Sequence, residues 1–162
     1  MRLTCALAAS LLLASGSPAR PMPANNKTGQ AVQGVAPSTQ AVAVVDAFHA
    51  ALRSGDSRAA QSILAADVLV FEAGGVERGR QEYAALHLAA DTAFARAVPA
   101  KLVRRTAHAA GDIAWVATEG RTTGIYKGKP LDRITAETMI LRRIAGAWKI
   151  VHIHWSSAAG AK

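Results

Sequence analysis

Cysteine occurs once in these 162 residues, at Cys5, so no disulfide can help to hold the fold. Aromatic residues are scarce at 5%, and they never interleave with basic residues in a continuous stripe. That lack argues against a nucleic-acid surface, which needs a concentrated basic patch. No apolar run reaches the roughly 20 residues that span a bilayer, and the longest, Leu3 to Ala14, stops well short. The net charge of +8 is also less than it looks. Between Ser38 and Ser157 there are 15 Lys and Arg against 11 Asp and Glu, a net of +4, and the other positives are Arg2, Arg20, Lys27 and Lys162. The surface this predicts is an ordinary solvated one.

What is present begins with an export pattern. Arg2 supplies a positive start, the apolar run follows, and small residues at Ala14-Ser15-Gly16 or Ser17-Pro18-Ala19 offer a cleavage site. Residues 1–19 therefore read as a cleavable leader, with an uncleaved anchor as the alternative. Cleavage would remove Cys5 and deliver a thiol-free chain to the periplasm or the exterior, with no membrane attachment afterwards. Residues 20–37, rich in Pro, Gly, Asn, Gln and Ala without a period, read as a flexible linker. One domain over 38–157 and a short tail, 158–162, complete the chain.

Ser38 or Thr39 reads as the cap of a first helix whose Val42, Val45, Phe48, His49 and Leu52 share a face, and Gly55 stops it. Asp56 or Ser57 caps a short second helix. Val68 to Phe71 reads as a strand, and Gly74-Gly75 turns the chain. A third helix is expected from Arg80 to Arg96, with Pro99 barring its continuation. Four β-rich stretches follow, Lys101–Ala109, Ile113–Tyr126, Leu131–Ile144 and Trp148–Ser156, separated by turn signals. Helices ahead of a meander predict the α+β class, with helices on one face of a curved antiparallel sheet.

Two stretches carry unexpected polarity. On the third helix Tyr83, Leu86, His87, Ala90, Asp91 and Phe94 fall at apolar-stripe spacing, which stacks His87 and Asp91 on the core face. A buried carboxylate is costly unless paired, so this helix is expected to face a cavity with polar contents. The alternative is a structural pair that satisfies itself. In the last strand, WKIVHIHWSS, strict alternation puts Trp148, Ile150, His152, His154 and Ser156 on one side. Lys149, Val151, Ile153 and Trp155 then share the other. A two-residue hairpin at Ala145-Gly146 would set Glu137 opposite His154, a register that a slip of one residue would overturn.

The order of elements, the Val-Phe-Glu strand before glycines, Tyr83-x-x-x-His87-x-x-x-Asp91 and the terminal WKIVHIHWS resemble the SnoaL-like branch of the nuclear transport factor 2-like superfamily. The terminal strand is also similar to that of the calcium/calmodulin-dependent kinase association domain. The resemblance covers about Thr39 to Ser157. It implies a cone, a curved antiparallel sheet wrapped over three N-terminal helices, with a pocket between them and dimers formed through the sheet's outer face. It does not imply one reaction, because the fold hosts isomerases, cyclases, dehydratases and binding modules. The isomerase apparatus finds no residue-by-residue match here, and the only tyrosines are Tyr83 and Tyr126.

Three functional readings follow. The first is a small-molecule pocket with acid/base capacity, whose catalytic candidates are His87, Asp91 and His154. Here His87, His152 or His154 moves protons, Glu72, Asp91 or Glu137 orients an imidazole, and Tyr83 donates to a developing oxyanion. Glu119 and Arg121 share a strand face and either line the mouth or form a salt bridge. The second is a divalent metal site for zinc, copper or iron, built from His87, Asp91, His152 and His154. The third is a non-catalytic homodimeric binding or assembly module, with Val151, Ile153 and Trp155 either in the interface or in the core. His49 and His108, lacking spaced partners, receive no role.

Overall fold

The computed structural model describes residues 35–160, so the leader, most of the linker and the last two residues lie outside it. Among the described residues no helix is long and apolar enough to cross a membrane.

Helix α1 (Pro37–Ser54) starts two residues earlier than a Ser38 cap implies, with Ala36 at the cap position, Pro37 in the first turn and no side-chain cap. Proline costs nothing there, because a first-turn N–H has no partner within the helix. Ala41, Val45, Phe48, Ala51 and Leu52 form its buried stripe, and Gly55 closes it at φ 83°, a conformation that favours glycine. Asp56 then caps α2 (Ser57–Ile63) by accepting the Ala59 N–H at 2.9 Å. The chain passes directly into β1 (Leu64–Glu72), whose Val68 and Val70 point into the core.

Two features depart from expectation. Beyond the Gly74-Gly75 turn the chain forms a further short strand, β2 (Gly75–Arg78), paired antiparallel with β1. Its sequence, Gly-Val-Glu-Arg, has one apolar residue, too little to show a period of two. The expected single helix is also two: α3 (Arg80–Leu86) and α4 (Leu88–Ala97), broken at His87 (φ −121°, ψ −32°). Neither Gly nor Pro marks the break. There His87 Nδ1 meets Glu77 Oε1 on β2, a contact that only the tertiary fold supplies.

The meander follows as β3 (Ala100–Ala110), β4 (Ile113–Tyr126), β5 (Lys129–Ile144) and β6 (Ala147–Ala159). Lys127-Gly128 and Ala145-Gly146 both sit at positive φ, which suits two-residue hairpins on right-twisted strands. The sheet order is β2-β1-β6-β5-β4-β3, antiparallel at every junction except β1–β6, which is parallel. The fold is α+β, with a curved, unclosed six-stranded sheet over the helices. Phe48, Tyr83, Met139, Leu141, Ile150 and Ile153 are fully buried between the layers, each worth roughly 1.5–3 kcal/mol.

One irregularity reorders the last strand. Ile144 pairs with Ala147 as the hairpin requires, but β6 carries one extra residue at Val151, between Ile150↔Leu141 and His152↔Ile140. Such a bulge reverses which residues face which side. Trp148 and Ile150 face the core before it, and Ile153 and Trp155 face the core after it. Glu137 therefore lies opposite Trp155, and His154 opposite Thr138. The single-face grouping of Trp148, Ile150, His152 and His154 does not hold. Ile153 and Trp155 belong to the core, and the outer face instead carries Leu69, Phe71, Trp115 and His152.

Candidate functional site

Between the helices and the concave side of the sheet lies a cavity of about 690 Å³. Its polar floor follows from register. Glu72 pairs with Trp155, Trp155 with Glu137, Glu137 with Thr118, and Thr118 with Arg105. These five residues form one row across β1, β6, β5, β4 and β3, and all border the cavity. Asp46 and His49 of α1 and Asp91 and Phe94 of α4 close it from above.

Two hydrogen-bonded groups stand over this row. In the first, Tyr83 Oη donates to Asp91 Oδ2 at 2.7 Å. Burial pushes the Asp91 carboxyl above the usual carboxylate range, against the opposing pull of the Tyr83 bond and of His87. Burial, and then the charge of Asp91, raises Glu72 in the same direction. Tyr83, fully buried beside this acid, is pushed up by burial and by Asp91 and so stays a donor. In the second group Glu137 Oε2 accepts the Trp155 indole N–H at 2.7 Å and lies 2.8 Å from His49 Nε2. Burial pushes Glu137 up, but the bonds from His49 and Trp155, with the charge of Arg105, outweigh it and hold the carboxyl low. Arg105 is itself held by Asp46 at 2.5 Å and Thr118 at 3.1 Å.

The residues singled out in the sequence are thus divided. Glu72, Asp91 and Glu137 meet at the cavity, with Tyr83 behind Asp91. His154 touches the cavity's edge, but its ring lies 6.4 Å from Phe71, on the side away from Ile153. His152 packs against Phe71 at 5.2 Å on that same outer side, and burial lowers its pKa. His87 is half exposed and engaged with Glu77. Glu119 and Arg121 share a face of β4 as expected, but it is the convex face. There they border a shallower groove, and Arg121 pairs with Asp132 at 2.6 and 2.8 Å rather than with Glu119.

The four expected metal ligands therefore do not converge. Among the described residues no group of three or more His, Cys, Asp and Glu is arranged to hold a metal ion. The helix break turns His87 toward β2, and the bulge leaves His152 and His154 outside. Sequence reading also gave no role to His49 or Arg105, and it placed Trp155 in an interface or the core rather than at the cavity. His49 sat on the apolar face with Val45, Phe48 and Leu52, the same signal that singled out His87, and Asp46 three residues earlier was its spaced companion.

Comparison with known proteins agrees with this architecture. The family model for a SnoaL-like domain matches residues 41–160. A structure described as a candidate ketosteroid isomerase from Shewanella frigidimarina NCIMB 400 is 41% identical, with 72% of this chain and 94% of that chain covered and a TM-score of 0.70. A nuclear transport factor 2-like protein of unknown function from Pseudomonas putida KT2440 is 24% identical, covering 74% and 84%, with a TM-score of 0.63. A CaMKII hub from S. rosetta is 23% identical, covering 77% and 99%, with a TM-score of 0.64. These last two share the fold. No curated protein matches the sequence. The chain belongs to the SnoaL-like domain family.

Proposed function

We propose that this protein binds a small organic molecule in the cone cavity and moves a proton on it, as an isomerase-like enzyme. The observation that carries this reading is the pair of raised carboxyls, Glu72 and Asp91, beside Tyr83 in one cavity. A carboxylate whose proton affinity is raised is the stronger base, better able to take a proton from carbon and return it. Glu72 has no hydrogen-bond partner among the described residues, so it is free to swing between ligand atoms. Asp91 is fixed by Tyr83 and keeps local negative charge near it. The 41% identity to a candidate ketosteroid isomerase supports the same class of reaction.

The test is proton exchange on a β,γ-unsaturated 3-ketosteroid in deuterated solvent, followed by mass and by the rise in conjugated-enone absorbance. Wild type is expected to shift the double bond, and Glu72→Gln to slow the shift by about 10²–10⁴-fold. Wild-type rates in both Glu72→Gln and Asp91→Asn would remove this assignment.

The reading includes a homodimer formed through the convex face of the sheet. Leu69, Ile113, Trp115 and Ile134 are exposed there. Structural neighbours at 23% and 21% identity are a CaMKII hub and the C. elegans CaMKII association domain. It also includes export, which rests on the leader pattern of residues 1–19.

A further inference from the structure

The cavity is polarised along its length. Its carboxylates, Asp46, Glu72, Asp91 and Glu137, all belong to the row from Glu72 to Arg105 or stand over it from α1 and α4. Two further rows continue the concave floor toward the other end. Ser157, Thr135, Gly120 and Leu102 pair across β6, β5, β4 and β3, and Ala159, Arg133, Thr122 and Ala100 form the next row. Neither row holds an acid, and Ser157, Thr135, Thr122 and Arg133 border the same cavity.

Arg133 has no part in the proton chemistry. It shares the concave face with Thr122, its pairing partner, which is 4% exposed, because residues opposite each other on adjacent strands project from one side of a sheet. The neighbouring acid, Asp132, is on the other face and is held by both arms of Arg121. No ion pair within the described residues neutralises Arg133. Helix α1 brings a second such cation to the cavity wall, Arg53, one helical turn beyond His49. The other two basic residues at the cavity are accounted for. Arg105 is engaged by Asp46, and Lys101 pairs with Arg121 and so shares the convex face.

Small residues clear the way to Arg133. Ala159 flanks it on β6, and in the middle row Gly120 carries no side chain, where a Cβ would sit 2.8 Å from Thr135 Oγ1. The floor between Glu137 and Arg133 is therefore low and lined by hydroxyls.

We propose that this end of the cavity is an anion subsite, and that the ligand is a ring compound with a carboxylate remote from its reacting carbon. Arg133 takes the carboxylate through its planar fork, and Arg53 adds positive potential from the helix side. This rests on the pocket reading above and narrows its substrate class. Glu137 and Arg133 lie four residues apart on β5, about 13 Å between backbones. Both side chains reach inward, and a fused-ring body spans what remains. The same polarity fixes the orientation, since a reversed ligand would set its carboxylate against Glu72 and Asp91.

The experiment is calorimetric titration of the full-length protein with naphthylacetate and with a 3-ketosteroid bearing a side-chain carboxylate, each against its primary amide. Wild type is expected to favour the acid by about 10-fold or more, the size of one charge-assisted hydrogen bond. Arg133→Gln should remove most of that preference, and Arg133→Lys should keep part of it. Arg133 is exposed, so both variants should unfold at the wild-type midpoint. Arg58→Gln removes the same charge from α2, outside the cavity, and should leave the preference unchanged. If it lowers the preference as much as Arg133→Gln does, net charge is responsible and the subsite falls. Equal binding of acid and amide, a preference that survives Arg133→Gln, or failure of every acid to bind also overturns it. The neutral ketosteroid assay judges the pocket independently. Turnover there without a preference for acids retires the subsite alone, whereas no turnover and no binding retire both.

Discussion

At the scale of single residues, environment shifts the proton affinity of three nearby carboxylates in opposite directions. Glu72 and Asp91 are raised chiefly by burial, whereas Glu137, more deeply buried, is held low by two N–H groups aimed at one oxygen. The sign of each shift gives opposite pH behaviour. Asp91 binds its proton more tightly in the folded state than in the unfolded chain. Stability is therefore lost as pH rises from its ordinary value of 3.8 through the raised folded value. Glu137 behaves in reverse: its contribution is present at neutral pH and lost as pH falls through its lowered folded value. Asp91→Asn, which still accepts from Tyr83, should raise neutral-pH stability by about 0.5–1 kcal/mol and do nothing at pH 3. Denaturant titrations at both pH values check this. Equal effects at the two would show that Asp91 titrates as it does in the unfolded chain. If the proposed chemistry holds, the gain comes with lost proton transfer, the trade-off expected where a site is kept less stable for function.

At the scale of elements, the bulge at Val151 and the helix break at His87 matter most. The bulge inserts one residue, so the faces of β6 before and after it follow different parity. Removing Val151 should leave Ile153 and Trp155 in the core, because the pairing on either side of it becomes one-to-one without changing faces. Removing Ile153 instead should bring His154 into the core and turn Trp155 outward. The first deletion is expected to cost about 1–2 kcal/mol and keep cooperative unfolding. The second should cost about 4 kcal/mol or more, on the scale of losing a large core side chain. Trp155 fluorescence, isolated by Trp115→Phe and Trp148→Phe, reports which way the indole faces. Equal damage from both deletions would contradict the parity described here. The break at His87 acts in the same way on α3 and α4, since it frees His87 for Glu77 while Tyr83 and Asp91 stay aimed at each other.

At the scale of the whole molecule, the two proposed roles fall on the two faces of the sheet. The concave face holds the cavity and its polar row, and the convex face holds exposed Leu69, Ile113, Trp115 and Ile134. Exposed apolar side chains on one sheet face are what the proposed interface would cover. Trp115, bordered by His108 at 6.3 Å, is the large aromatic anchor of that face. Trp115→Glu is expected to weaken the proposed dimer by at least about 30-fold, the effect of a strong interface anchor. Monomer stability should hold, because the side chain is already partly exposed. Sedimentation at several concentrations distinguishes the cases. A wild-type monomer throughout, or an unchanged variant, would argue against this face as the interface.

Local chemistry made much of the fold legible. The capping aspartate at 56, the glycine stops, the positive-φ hairpins and the two apolar periods located α1, α2 and the four-stranded meander nearly to their ends, but of β1 only its second half, Val68 to Phe71 of Leu64–Glu72. The core-facing polarity of Asp91 likewise foretold a cavity, because a carboxylate at an apolar-stripe position needs a reason to be there. None of the three things that define the site could be read this way. β2 is too short to show a period, the His87 break is made by a partner 10 residues away on another strand, and the Val151 bulge is one residue in a run where every residue suits a strand. The row from Glu72 to Arg105 joins residues from five strands, and a row across a sheet depends on pairing partners rather than on neighbours in sequence. Composition and periodicity therefore determined the class of fold and the existence of a polar interior. Only tertiary pairing decided which acids share it, because a single inserted residue reverses the facing of everything after it.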